Sequence, residues 1–265
     1  MKPPRCVLTI AGSDSGAGAG VQADARTIHA LGGYAVTAIS AVTAQNTRGV
    51  QSWSPVATRL LAAQLESVLS DFPVAAIKTG LLPGAAAVRA VVVALERRPR
   101  LPLVIDPVIG SSSGTRFLSA AALRSLQREL FSRAALVTPN WPEAAALSGR
   151  PVRTFTEAEH AGLTLAEQSG CAVLVKGGHG PGPTCRDCLI SADGHVQWFA
   201  ARRLATRNTH GTGCVLSAAI ATELAHGRTV AAAVARARAF LLHALRAGRF
   251  MQWGRGAGPA FPGTN

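Results

Sequence analysis

The chain has 265 residues, 48% of them hydrophobic, enough to bury a large core in one or two domains. Its formal net charge of +13 invites a nucleic-acid reading, yet the arginines are scattered and aromatics make up 5%, too few for an interleaved base-stacking surface. No long apolar run is free of charge, and the opening MKPPRCVLTIAG lacks the apolar block and cleavage site of a signal peptide. The expectation is a soluble cytoplasmic protein with no nucleic-acid and no membrane partner, whose positive field draws phosphorylated metabolites instead.

In chain order, the strand-like run CVLTIAG (6–12) leads into a glycine-rich turn, AGSDSGAGAGVQAD (11–24), and a helix with Asp24 just inside it. GAGVQA (18–23) fits a relaxed dinucleotide fingerprint, but the second strand, YAVTAISAVTA (34–44), closes on AQNTRG without the acidic residue that would hold a ribose. Asp24 and Gln45 instead form a carboxylate-and-amide pair suited to an aminopyrimidine edge. Helical spacing at 56–70 precedes strand VAAIKTG (74–80), and a helix at 84–96 precedes PLVIDPV (102–108). A helix at 119–130 precedes AALVTPN (134–140), and one at 156–169 precedes CAVLVKGG (171–178). DCLIS-ADG-HVQWFA reads as a hairpin turning at 192–194, and long helices follow at 212–226 and 229–247. The Gly/Pro-rich end GRGAGPAFPGTN is expected to fray, which divides the chain into a domain over 1–250 and a tail over 251–265.

Short apolar strands joined by helical crossovers mean a mainly parallel sheet covered on both faces, with one small antiparallel hairpin. Ligands of such sheets sit beyond the carboxyl ends of the strands. There the chain places GSDSGAGAG, TAQN, KTGLLP, DPVIGSSSG, TPNWPEA and KGGHG. Lysine occurs only at Lys2, Lys78 and Lys176, the last two each closing an apolar run. Asp106, Asn140 and Glu143 lie at adjacent strand ends, and hard oxygens beside phosphates suit Mg²⁺. Lys176 either faces a nucleotide phosphate or forms a structural ion pair.

The stretch NTHGTGCVLSAAIA (208–221) puts two glycines and a cysteine at the mouth of a helix, where unpaired N–H groups and the helix dipole attract an anion. Gly211, Thr212 and Gly213 would form that cradle, and the helix end should lower the pKa of Cys214. His210 either approaches the phosphate or is a hydrogen-bonded loop residue. No P-loop and no nucleophile elbow occurs. The five cysteines do not make a complete disulfide framework, and Cys185-x-x-Cys188 lies on a strand that turns residues three apart to opposite faces, which disfavours zinc.

In order, LTIAGSDSGAGAGVQAD, TAQNTRGV, KTGLLP, VIDPVIGSSSG, VTPNWPEA, VLVKGGHG and NTHGTGCVLSAAIA cover nearly the whole chain. This series resembles the hydroxymethylpyrimidine/phosphomethylpyrimidine kinases of thiamine biosynthesis, in the ribokinase-like superfamily. The resemblance implies a single-domain, ribokinase-like three-layer α/β/α fold and a homodimer. It also implies use of ATP and Mg²⁺ to phosphorylate 4-amino-5-hydroxymethyl-2-methylpyrimidine and then its monophosphate. It places Gly12, Asp24, Gln45 and Val108 at the pyrimidine, and Gly211 to Cys214 at the anion hole, with Cys214 as the general base of the first step. Asn140 and Glu143 would orient Mg²⁺ and phosphate, Asp106 would assist, and Lys176 and Thr212 would approach the nucleotide. Leu81 stands where the family usually has methionine, a volume-conserving swap, and the SDSGAGAG loop has alanine where serine or glycine is frequent. Pyridoxal or pyridoxine kinase is the alternative on the same fold.

Overall fold

The apolar runs pair edge to edge in one sheet, and the helical segments between them return each strand in the same direction. The computed structural model describes residues 3–111 and 114–261. Its strands are β1 (Cys6–Asp14), β2 (Tyr34–Asn46), β3 (Gly49–Pro55), β4 (Val74–Thr79), β5 (Leu103–Ile105), β6 (Leu136–Val137), β7 (Ala172–Val175), β8 (Thr184–Ile190) and β9 (Val196–Arg202). Its helices are α1 (Gly20–Ala30), α2 (Thr58–Asp71), α3 (Ala85–Glu96), α4 (Ala120–Leu130), α5 (Trp141–Ser148), α6 (Phe155–Ser169), α7 (Thr212–Ala225) and α8 (Val230–Ala247). The sheet order is β3-β2-β1-β4-β5-β6-β7-β8-β9. Neighbours from β2 to β7 run parallel, whereas β3 joins β2 and β8 and β9 follow β7 antiparallel.

Period-two alternation sorts the strand side chains into two cores. Leu8, Ile10, Ile77, Leu103, Ile105, Val137 and Val173 pack with α2 to α6 on one face of the sheet. Val7, Ala76, Val104, Leu136 and Leu174 pack with α7, α8 and Ile28 of α1 on the other. The result is the expected three-layer α/β/α arrangement. By the same alternation Thr9 and Lys78, paired across β1 and β4, face the α1/α7 layer. α2 shows how the layers are held: Leu61, Leu65 and Leu69 recur every four residues and are buried. Each such leucine contributes about 2 kcal/mol of transfer free energy.

The strands expected over 102–108 and 134–140 contract to Leu103–Ile105 and Leu136–Val137. Pro102, Pro107 and Pro139 bound them, and proline cannot donate to a ladder. β3 went unforeseen because its sequence, GVQSWSP, is mostly exposed and carries no apolar alternation. Short α5 was missed too; reciprocal Asn140 and Glu143 capping bonds, Pro142 in its first turn and left-handed Gly149 at its end define it.

The Gly/Pro-rich end does not fray over 251–261. Gly258 and Ala260 are buried, and His210 N–H donates to the Gly258 carbonyl (3.0 Å) while Ala260 N–H donates to the His210 carbonyl (3.0 Å). Residues 262–265 lie outside the described residues.

Candidate active site

Chain order reverses at β1: β2 lies on one side of it and β4 on the other. Crevices of doubly wound sheets open at such a point. Here Lys78 of β4 donates to Asp24 Oδ2 of α1 at 2.8 Å, and Thr9 Oγ1 of β1 donates to the same oxygen at 2.5 Å. Both charged side chains have 0% exposure. Burial pulls the Lys78 ammonium down, but Asp24, Cys214 and Asp106 outweigh it and hold its pKa above the ordinary lysine value. Burial likewise pushes the Asp24 carboxyl up, against the pull of Lys78 and Thr9. The other oxygen, Oδ1, is buried with no hydrogen-bond partner, so Asp24 keeps one acceptor to offer.

Cys214 sits where the two halves of the fold meet. It is the third residue of α7, and the Gly20 N–H at the head of α1 hydrogen-bonds its sulfur. Lys78, Asp24 and Asp106 all act on it electrostatically. Contrary to the lowered pKa expected from the helix end, burial pushes the thiol up to about 11, with Asp24 and Asp106 adding to it and Lys78 opposing. No side chain caps the first turn of α7, unlike α4, α5, α6 and α8, which are capped by Ser119, Asn140, Thr154 and Thr229. The N-cap of α7 is Gly211, at φ 76°, where a Cβ would run into the Gly18 carbonyl. Only glycine lets the anion loop press against the loop before α1.

That second loop is organised by a residue the sequence reading passed over. Asp14 accepts the N–H groups of Gly16 (2.8 Å), Gly18 (3.0 Å) and Ala19 (2.8 Å), and His210 Nε2 stands 2.9 Å from its Oδ2. Burial pushes the Asp14 carboxyl up, but the bonds from His210, Ala19 and Gly16 prevail and hold it below the usual range. His210 Nε2 is also 3.0 Å from Gln45 Nε2. His210 Nε2–H donates to the Asp14 carboxylate, so His210 is a hydrogen-bonded loop residue, and the Gln45 amide lies against the same nitrogen. Gly12 faces Leu81 and Ala41 on the adjoining wall, with half-buried Val108 packed against the same core.

A second, partly buried ion pair lies across the α7 N-terminus. Lys176 Nζ is 2.6 Å from Asp106 Oδ1 and 3.8 Å from Glu143 Oε2. A Cβ on Gly213 would stand 3.3 Å from that Nζ and 3.4 Å from Asp106 Oδ2. Burial brings Glu143 up to about 7, with Lys176 opposing and Asp106 reinforcing. Asn140 Oδ1 is committed to the Glu143 N–H (2.9 Å), and Glu143 Oε2 accepts the Asn140 N–H (2.7 Å). Among the described residues no group of three or more His, Cys, Asp or Glu could cage a metal ion. Asp106 and Glu143 are carboxylates of the kind Mg²⁺ takes beside phosphate oxygens and water, and both face the Lys176 ammonium. Arg203, also passed over, ties down the glycine loop beyond Lys176 by donating to the carbonyls of Gly178 (2.8 Å), Gly180 (2.6 Å) and Gly182 (3.0 Å).

The structure thus gathers Asp24, Cys214, Gly211 to Gly213, Asp106, Lys176 and Glu143 around the α7 N-terminus, with Gln45 beside His210. The partner of Asp24, Lys78, was flagged by its rarity but given no role. Asp14 and Thr9 carried no sequence signal beyond a polar residue at or within an apolar run.

The family described as phosphomethylpyrimidine kinase matches residues 14–261. The chain is 43% identical to the hydroxymethylpyrimidine/phosphomethylpyrimidine kinase of Rhizobium meliloti, over 95% of this chain and 94% of that one. It is also 43% identical to a thiamine biosynthesis multifunctional protein of Corynebacterium efficiens, covering 96% of this chain but 34% of that longer protein. Among solved structures, the pyridoxal kinase from Staphylococcus aureus in complex with ADP superposes with a TM-score of 0.91 at 28% identity, over 99% of this chain and 95% of that one. The phosphomethylpyrimidine kinase from Clostridium difficile gives 0.79 at 33%, over 91% and 99%.

Proposed function

The chain belongs to the phosphomethylpyrimidine kinase family, and we propose that it carries both phosphorylations of that chemistry in the crevice between α1 and α7. The substrate is 4-amino-5-hydroxymethyl-2-methylpyrimidine, then its monophosphate, and ATP is the donor. One observation carries the reading: Asp24, with an unpartnered oxygen, and Cys214, at the uncapped head of α7, share one electrostatic neighbourhood. A substituted pyrimidine held by Asp24 would present its hydroxymethyl group to Cys214.

Phosphoryl transfer asks for in-line positioning and compensation of charge more than for covalent help. The free N–H groups of Gly213 and Cys214 and the dipole of α7 compensate the γ-phosphoryl group. Asp24 Oδ1 and the Gln45 amide bind the pyrimidine edge, and Gly12, Leu81 and Val108 shape the wall against which the ring rests. Asp106 and Glu143 would hold Mg²⁺, which supplies charge neutralisation on the transferring phosphate. Lys176 and Thr212 serve the nucleotide, and Asn140 acts by fixing Glu143. The working form is a cytoplasmic homodimer, as the resemblance implies. No helix among the described residues is long and apolar enough to cross a membrane.

Cys214 takes the hydroxymethyl proton in the first step. With its thiol up at about 11, the base form is a small fraction near neutrality, supported by the Gly20 N–H and Lys78. The second step uses a phosphate oxygen that is already anionic and needs no proton acceptor. Cys214→Ala should therefore depress the first phosphorylation far more than the second in separate steady-state assays. Equal losses in both would remove the cysteine from proton transfer.

A further inference from the structure

The segment expected to fray instead meets the site at two points. His210 precedes the N-cap of α7, and residues 258 and 260 take both of its backbone groups: its N–H donates to the Gly258 carbonyl and its carbonyl accepts from Ala260 N–H, each at 3.0 Å. Asn208 supports the same contact from below, its Nδ2 donating to the carbonyls of Gly248 (2.6 Å) and Met251 (2.8 Å). Gly258 lies so close that a Cβ would strike the Asn208 amide. Further along, Gly256 N–H donates to Thr47 Oγ1 at 3.1 Å, in the turn between β2 and β3, two residues beyond Gln45. Trp253 and Phe261 close the segment on itself with ring centroids 5.2 Å apart.

We infer that residues 251–261 are a positioning strap for the pyrimidine end of the site. The strap holds the backbone of His210 on one side while Asp14 holds its ring on the other, with the Gln45 amide lying against that ring. By seating Thr47 it also fixes the end of β2 that carries Gln45. His210 and the strap are positioning elements, since their hydrogen bonds run to Asp14, to Thr47 and to the anion loop. The inference rests on the proposed pyrimidine kinase function for its kinetic consequence, but not for its mechanical one.

Two variants test it: a chain stopped after Phe250, and Gly258→Val, which leaves the strap in place but forces it off Asn208. Hydrogen–deuterium exchange by mass spectrometry reads the mechanics without any substrate. The strap requires faster exchange in peptides covering 14–19, 43–48 and 208–214, with peptides from β4 and β5 unchanged. Steady-state kinetics read the consequence: KM for the pyrimidine alcohol rises at least tenfold, KM for ATP stays within about twofold, and a synthetic peptide of residues 251–261 restores KM in the truncated chain. Unchanged exchange in those peptides, in whichever variant folds, overturns the strap. So does a loss of kcat with both KM values unaltered. Faster exchange in the variants, beside a wild-type chain that phosphorylates no pyrimidine alcohol, leaves the strap standing and sinks the function instead.

Discussion

Replacing Lys78 with methionine keeps an unbranched side chain, one atom shorter, and removes the cation that pairs with Asp24 among the described residues. The carboxylate then has one remaining bond, from Thr9, at a site with no exposure. Breaking a buried ion pair from one side costs about 3–5 kcal/mol. In a chain of this size that is a fall in thermal midpoint of roughly 10 °C. The loss has a pH signature. Without Lys78 nothing charged opposes the burial that raises the Asp24 carboxyl, so its folded-state pKa climbs further above the unfolded value of about 3.9. A folded-state pKa raised above the unfolded one gives stability that is complete below the unfolded value and drains away as pH rises. The penalty against wild type should therefore shrink as pH falls from 7 toward 5, by at most about 1.4 kcal/mol for each unit. Urea unfolding of both proteins at pH 5, 6 and 7 measures it, and Lys78→Met with Asp24→Asn should recover most of the loss at pH 7. A penalty below about 1 kcal/mol, or one independent of pH, would refute the buried pair.

The thiol of Cys214, held up to about 11, should be alkylated by iodoacetamide about tenfold faster for each pH unit between 7 and 10; a plateau below pH 8 in the Cys214 peptide contradicts this. Glu143, brought up to about 7, ionises as pH rises through neutrality, so Mg-ATP affinity by calorimetry should improve about tenfold from pH 6 to 8. Glu143→Gln should abolish that trend, and a parallel trend in the variant would assign it to another group. Gly211→Ala forces a side chain into a left-handed position against the Gly18 carbonyl. It should cost about 1–3 kcal/mol in stability and weaken ATP binding, and an unperturbed melting curve would show that the two loops do not press together.

The parallel sheet and its two helical layers were legible because buried strands and amphipathic helices obey different apolar periods, as Leu8 and Ile10 against Val7 and the run Leu61, Leu65, Leu69 display. The site was legible as a set of strand ends and one helix mouth. Its wiring was not. That Asp24 would meet Lys78 follows from β1 and β4 being neighbours, a fact of topology that no local pattern announces. The raised thiol of Cys214 was misjudged because the helix end is visible in HGTGC, whereas the burial that overrides it comes from α1 and two distant carboxylates. The strap was mistaken for a frayed end because glycine and proline also mark backbone that must pass close to other backbone, as Gly258 does at Asn208.

The central claim is that a small aromatic alcohol bridges the α1 and α7 sides of one crevice to receive phosphate from ATP. The most direct measurement is ADP release in a coupled assay offered, in turn, the hydroxymethylpyrimidine, its monophosphate and pyridoxal. Turnover of both pyrimidines, with kcat/KM at least tenfold above that for pyridoxal, is the predicted result. Preference for pyridoxal, or release of ADP with none of the three, would contradict it.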